Sequence, residues 1–538
     1  MKRLIFLFTC LFCLFVNMNA QLSLHNWFDH HMVVQRDKVV NIWGTATPGD
    51  TVEVHFNTQT RQATVNANGD WSVQLDPMSA NGNGQTLKVT NGEEIVLLQD
   101  VLIGDVWVLT GQSNMEFDLK RIHHGDVEIA SAHFPEIRLL TVPYKATPDP
   151  QKCFERLNEW DGWYGRYDVK GFWLKCNPET VPTFSGLGYI FGRRVHMASQ
   201  VPIGLVDVSV GGTTVEAWTT REKLLTYPEN RGLIELWDER IKDNPEKAQD
   251  RNNPGAPYNA MMHPLKGAVV TGIVFHQGFN NALGDSRPKL YTKNLQLMIE
   301  GWREFFGEND LPLGIVDLSA GGQSQTLDNY GLLSLDAGAY IREAQLQAYK
   351  DLENIGFVTS YDRQVNWYHP QRKIQLGERM ARWALTEYYD FDFGWKPALP
   401  VSVEKQEGTF IIGFDREVRV VDGRPISGMS LAGKDRKFYP AKAEFLVSGK
   451  DDRNRDILDH TKVLISCDQV PRPEACRYAW ARNPLGNLTN APLQERVIAV
   501  PPFRTDDWDW PEAPFVEGNT DEWKAHRAKL QEMKKKYQ

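Results

Sequence analysis

Five apolar runs, each ending in a polar or glycine-rich knot, constrain this chain more than any other feature. They are "VLIGDVWVLTG", "VPIGLVDVSVGG", "VTGIVFHQG", "LPLGIVDLSAG" and "IGFVTSYD". Such runs are apolar at successive positions, so a strand built from them must be covered on both faces, as in a parallel sheet sandwiched by helices. The stretches between them are long enough for crossover connections and carry helical spacing. "LYTKNLQLMIEGWREFF" places Leu290, Leu295, Ile299 and Trp302 on one helical face, and "QLGERMARWALTEYY" repeats the pattern. A doubly wound α/β domain is therefore expected over residues 101–392.

The flanks have a different period. From residue 21 to about residue 100, "TVEVHF", "ATVNANGDWSVQL" and "QTLKVTNGEEIVLL" alternate and break at Gly, Asn and Asp, as in a small antiparallel β domain. Alternation returns over residues 393–515 in "FIIGFDREVRVV", "FYPAKAEFLVSG" and "KVLISC", which predicts a second β region. Residues 516–538 form a charged helix or frayed tail whose lysines read as solvated surface. At 538 residues the chain exceeds one ordinary core, and 41% hydrophobic with 24% charged residues suits a soluble globular protein. The formal net charge of -9 argues against a nucleic-acid binder, which needs a clustered basic face. Oligomeric state is not legible.

The start, "MKRLIFLFTCLFCLFVNMNAQ", has basic residues, an apolar run and a small residue at Ala20, the layout of a secretory signal over residues 1–20. A single N-terminal anchor is the alternative, but the run from Leu4 to Val16 is short for a span of about 20 apolar residues. Export, to the periplasm or beyond the cell, follows, and no later stretch is apolar enough to cross a bilayer. Of six cysteines, Cys10 and Cys13 lie in the signal. In an oxidising compartment the other four allow three pairings, the simplest joining Cys153 to Cys176 and Cys467 to Cys476; free buried thiols are the alternative. A zinc site is disfavoured, because these four show no C-x-x-C spacing and no histidine pair sits beside them.

In an open α/β sheet, ligands bind beyond the carboxyl ends of the strands, so the knots are where chemistry is sought. The first holds Gly111-Gln112-Ser113-Asn114, where a serine hydroxyl can face outward ahead of a helix N-terminus. The second holds Gly211-Gly212-Thr213, where missing side chains let backbone N–H groups approach a substrate oxygen. The third, Gln277-Gly278-Phe279-Asn280-Asn281, offers amides, and the fifth run leads to His369 in "NWYHPQRK". Nucleophile, base and oxyanion donors are the parts needed for acyl transfer, although each alone has a blander reading as a helix cap, a turn or a loop residue.

"GDVWVLTGQSNME" resembles the nucleophile block of SGNH hydrolases, in particular the sialate O-acetylesterase family. The similarity continues through "MVVQRDKVVNIWGTATPGDTVEV", "PIGLVDVSVGGTTVEAW", "YNAMMHPL", "IREAQ", "CRYAWARNPLGNLTNAP" and "PPFRTDDW". The resemblance implies a flavodoxin-like SGNH domain with accessory β structure that removes acetyl groups from sugars without metal or cofactor. It assigns Ser113 as nucleophile, His369 as base, and the N–H of Ser113, Gly211 and Gly212 with the amide of Asn281 as oxyanion donors. Gln112, Gln277, Glu216 and Trp218, with Trp367 and Tyr368, are the candidates to contact a sugar.

Two departures concern acid. The family's Gln-Gly-Glu is Gln277-Gly278-Phe279 here, and the aspartate usual two or three residues before the histidine is replaced by Trp367 and Asn366. A serine–histidine dyad, recruitment of Asp362 as the acid, or a glycan-binding homologue without catalysis remain open. Among active readings, O-acetylated sialic acids stand first, with xylan or pectin as the alternative.

Overall fold

The computed structural model describes residues 21–156, 171–283, 287–362, 365–420, 423–509 and 520–537, and the expected signal segment lies outside them. Its central strands are β1 (Ile95–Gly111), β2 (Phe134–Thr141), β3 (Leu174–Cys176), β4 (Ile203–Ser209), β5 (Gly272–His276), β6 (Leu313–Val316) and β7 (Ile355–Val358). They lie in the order β3-β2-β4-β1-β5-β6-β7. All neighbours are parallel except the edge strand β3, which runs antiparallel to β2. The five apolar runs are β1, β4, β5, β6 and β7, and β2 adds a further parallel strand.

Six helices matter to the site: α1 (Ser113–Glu116), α2 (Gly186–Ser199), α3 (Phe279–Ala282), α4 (Pro288–Phe306), α5 (Ala337–Asp351) and α6 (Ile374–Tyr388). Alternation along β1 divides the core. Val106 and Val108 join Leu295, Met298 and Trp302 of α4 and Ile341 of α5 on one face. Trp107 and Leu109 join Leu187 and Ile190 of α2 and Met380 and Trp383 of α6 on the other. Burial of each of these side chains contributes roughly 2 kcal/mol, which is why apolar residues fill both faces of the strand.

From β1 the chain passes to β2 and β4 on one side and to β5, β6 and β7 on the other. The carboxyl end of β1 is thus the topological switch point, where open α/β sheets bind ligands. Register sharpens this: Gly111 is paired with Ser209 on β4 and with His276 on β5, so three knots begin at one level of the sheet.

The amino-terminal half of β1 pairs instead with Asn81–Thr90 and, in parallel, with Val33–Gln35, so one long strand belongs to both layers. Towards the carboxyl end, Pro400–Gln406, Thr409–Phe414, Lys442–Lys450 and Asp456–Ser466 form an antiparallel sheet. A second contains Met429–Ala432, Phe438–Pro440, Ala475–Tyr478 and Phe503–Arg504. The tail is a helix, Asp521–Lys535, whose Leu530 is buried with Tyr340 and Trp480. The protein is an α/β core with accessory antiparallel β structure.

The proposed near-neighbour disulfides are absent: Cys153, Cys176, Cys467 and Cys476 are thiols. Cys476 lies inside the sheet opposite Leu431, whereas Cys467 follows a strand of a different sheet and points its Sγ at the Pro440 carbonyl. Cys176 is buried while Cys153 is exposed. Among the described residues, no helix is long and apolar enough to cross a membrane.

Candidate active site

Gly111 ends β1 at φ 126°, and a Cβ there would sit 2.3 Å from the His276 carbonyl oxygen, so the position admits only glycine. The chain then turns through extended Gln112 into α1, which begins at Ser113. The Gln112 side-chain carbonyl accepts N–H bonds from Gly278 (3.1 Å) and Asn280 (3.2 Å), tying the first knot to the third. Ser113 is 5% exposed, and neither its hydroxyl nor its N–H has a hydrogen-bond partner among the described residues.

The two glycines of the second knot differ in availability. The Gly211 N–H donates to the Glu116 carboxylate at 2.5 Å and is thereby removed from the oxyanion set. Gly212, at φ 79°, keeps an N–H with no partner among the described residues. Its turn is held from outside: Arg251 donates to the Gly211 carbonyl (2.8 Å) and Asn252 to the Gly212 carbonyl (2.9 Å). Two free N–H groups, of Ser113 and Gly212, thus stand at adjacent strand ends.

Asn281 faces inward. Its Oδ1 accepts from Val215 N–H (3.0 Å) and Gln277 Nε2 (2.7 Å), and its Nδ2 donates to Glu216 (3.1 Å). Those bonds take the donors assigned to an oxyanion. Asn280 is the amide that meets the knots: its N–H reaches Gln112 and its Nδ2 donates to the Gly212 carbonyl. The sequence did not single out Asn280; the only local signal is the Asn-Asn pair itself.

The residues expected to contact a sugar divide in the same way. Trp218 is fully buried, with Nε1 donating to Thr213 Oγ1 at 3.0 Å, so its ring is no platform. Glu216 accepts from Asn281 and Asn294, and Gln277 bridges the Thr213 carbonyl, Asn281 and Tyr291. These three brace the second and third knots from behind. Trp367 and Tyr368 are half exposed, at 45% and 53%, directly before His369.

His369 reaches the serine turn through its neighbours. Asn114 Nδ2 donates to the Tyr368 carbonyl at 3.2 Å. The imidazole stacks on Phe117, four residues after Ser113, with centroids 5.7 Å apart and planes 14° apart, and meets Trp367 edge-on. Burial pushes its pKa down to about 4, and the positive charges of Lys373 and Arg121 act in the same direction. The ring is therefore neutral near pH 7, as a base must be.

The carboxylate question has a structural answer in part. Phe279 is buried, packed edge-on to Tyr368 with the Arg482 guanidinium 5.3 Å from its ring centre. Asp362 forms a bidentate pair with buried Arg379, at 2.9 and 2.6 Å, so any service to His369 would share a carboxylate already held on both oxygens. The late "ARNPLGN" segment docks behind the site: Arg482 donates to the Ala282 carbonyl, and Asn483 to the carbonyls of Gly322 and Val365. Among the described residues, no group of three or more His, Cys, Asp or Glu side chains is placed to hold a metal ion.

Comparisons with known proteins bear on the same residues. The model of a family described as a carbohydrate esterase, sialic acid-specific acetylesterase, matches residues 103–386, from β1 to α6. A sialate O-acetylesterase of Rattus norvegicus is 31% identical over 89% of this chain and 93% of its own length. That of Homo sapiens is 28% identical over 56% of this chain and 58% of its own. Among solved structures, a carbohydrate acetylesterase from Xanthomonas citri superposes with a TM-score of 0.75 at 27% identity, covering 90% of this chain and all of the other.

Proposed function

Because the chain belongs to the sialic acid-specific acetylesterase family of carbohydrate esterases and is an esterase, we propose that it hydrolyses O-acetyl esters of sialic acids, with Ser113 as nucleophile. The observation that carries the reading is the switch point itself. There a serine whose hydroxyl has no partner among the described residues, and the equally unpartnered N–H groups of Ser113 and Gly212, stand at adjacent strand ends, with a neutral imidazole held against the serine's helix.

In the first step the Ser113 oxygen attacks the acetyl carbonyl and its proton passes to His369. The oxyanion is met by the N–H groups of Ser113 and Gly212, with the Asn280 amide beside them. Collapse expels the sugar oxygen, which takes the proton back from His369, and an acetyl-serine remains. Water then attacks the acetyl group while His369 accepts its proton, and acetate leaves as Ser113 is re-protonated. The proton thus shuttles between Ser113 and His369, whose ring is stacked on Phe117.

Arg121, on the turn Leu119–Arg121, acts on His369 by charge and gives this edge a positive character suited to the carboxylate of a sialic acid. Neutral acetylated xylan lacks that group. The first 20 residues support export as the setting of the reaction.

Acetate release from O-acetylated sialic acid, acetylated xylan and acetylated pectin, each with wild type and Ser113→Ala, tests both halves of the proposal. The expected result is preference for the sialic acid ester and loss of turnover by a factor of about 10³ or more in the variant. Retained activity in Ser113→Ala would remove the nucleophile, and preference for xylan or pectin would replace the substrate.

A further inference from the structure

Lys373 is buried to 0% exposure immediately before α6, four residues after His369. That is an expensive place for an ammonium group. It lies at the positive end of a helix, it is removed from water, and among the described residues it has no carboxylate within ion-pair distance. What it does have is one short hydrogen bond, Nζ to Asn114 Oδ1 at 2.5 Å, and the Phe117 ring 5.9 Å away. Asn114 follows the nucleophile, and its other end donates to the carbonyl of Tyr368, the residue before the histidine. The side chain of Asn114 is thereby held at both ends.

We propose that Lys373 is a positioning residue of this esterase: through Asn114 it clamps the Ser113 turn to the loop that carries His369. The inference rests on the reading of Ser113 and His369 as nucleophile and base. It supplies a polar link between the backbone next to the base and the residue next to the nucleophile, fixing the two loops relative to one another. An error of about 1 Å between two such groups costs roughly a hundredfold in rate, so a rigid link has a selectable effect.

The clamp has an electrostatic signature. Burial lowers the Lys373 pKa to about 7, and the cation in turn lowers the imidazoles facing it, His369 on the loop and His276 at the end of β5. His276 is bonded to the Val316 carbonyl and Ser319 Oγ. Beyond His369, Arg121 adds a second positive charge and lies 3.7 Å from buried Asp118. On α1, the Glu116 carboxylate binds the Gly211 N–H. Removing the lysine charge therefore raises the His369 titration midpoint; because burial is the larger cause of the depression, the comparison is with Asn114→Ala, which loosens the turn but keeps the charge.

The test uses Lys373→Met, which keeps length but neither charge nor donor, and Asn114→Ala, which leaves the lysine in place and breaks the relay. Turnover of an acetyl ester is measured for each and for the double variant. The His369 ring is titrated by NMR in a Ser113→Ala background, so that this readout does not depend on turnover. Lys373→Met is expected to lower kcat by about tenfold or more with KM within about twofold, and to raise the His369 midpoint by about one unit from its value near 4. Asn114→Ala should lower kcat similarly, and the double variant should be no worse than the poorer single one. Should Lys373→Met not fold, full kcat in Asn114→Ala would overturn the clamp on its own. An unmoved midpoint with kcat within twofold in Lys373→Met would do the same. Activity surviving in Ser113→Ala would instead defeat the nucleophile assignment, and the titration would still report on Lys373.

Discussion

Replacing Gln112 by leucine should loosen α3 without touching the nucleophile chemically. The Gln112 carbonyl is the acceptor for the N–H groups of Gly278 and Asn280, and the residue is 2% exposed, so no water takes its place without rearrangement. An orphaned buried N–H costs about 1–3 kcal/mol. The Gly278 bond is fully buried and the Asn280 bond partly so, which gives a local loss of about 2–4 kcal/mol, slightly offset by the apolar leucine. Because the chain has several layers, global melting is a poor gauge, and amide hydrogen exchange over the third knot is the suitable assay. A loss of about 2 kcal/mol accelerates exchange roughly thirtyfold there, while exchange in α4 stays unchanged. Turnover should fall about tenfold or more, since Asn280 and the serine turn lose their common anchor. Gln112→Glu keeps an acceptor facing two N–H donors and should retain most of the protection. If Gln112→Leu exchanges like wild type and keeps full turnover, the Gln112 carbonyl does not join the knots.

Exchanging the adjacent asparagines separately should distinguish their roles: Asn280→Ala is expected to lower kcat by about 10²-fold with a modest effect on stability. Asn281→Ala should chiefly destabilise the fold, by about 1–3 kcal/mol, because Glu216 and the Val215 N–H lose buried partners; the reverse pattern in kinetics and unfolding would restore Asn281 to the oxyanion site. The His369 pKa, about 4 in the folded chain against 6.5 for a free imidazole, means that the folded state refuses a proton that the unfolded chain accepts. That contribution is whole above pH 6.5 and is lost as the pH falls through about 4, amounting to ~3 kcal/mol. A kcat/KM profile whose acid limb lies near pH 6.5 would contradict the burial argument.

The parallel core was legible because β1, β4, β5, β6 and β7 bury both faces and must be apolar throughout. Elements with a polar or glycine-rich buried face were not. In α5, Arg342 and Gln345 occupy buried positions, where they bond the carbonyls of Leu318 and Gln277, and so interrupt the helical stripe. In α2, Gly188 and Gly192 read as breakers, yet a Cβ at either would fall 2.1 or 2.6 Å from Leu109 or Leu205 of the sheet. In β2, buried Arg138 hides the strand because its partners, Asp100 and the His31 carbonyl, lie far away in sequence. At the site, the order of the knots was readable and the direction of each side chain was not. Successive residues on α3 turn by about 100°, so two identical side-chain amides point one to the Gly212 carbonyl and the other to Glu216. Trp218 sits beside a knot in sequence, but its pocket is closed by Trp302, whose Nε1 donates to the Trp218 carbonyl.

The acid of a catalytic triad has two duties, orientation and charge. A triad carboxylate fixes the imidazole tautomer and plane, and it stabilises the imidazolium that forms during attack. Here Phe117 and Trp367 hold the ring plane from two sides, and the Asn114 bond to the Tyr368 carbonyl fixes its loop. Nothing apolar can supply the charge, and Lys373 and Arg121 oppose it. If the substrate is an acidic sugar, as proposed, its carboxylate would meet these charges, a contact that a neutral polysaccharide ester has no group to make. Burial first, and then the charges of Lys373 and Arg121, make His369 a weak base in the free protein, and under the proposed specificity the same two charges favour an anionic substrate over a neutral one.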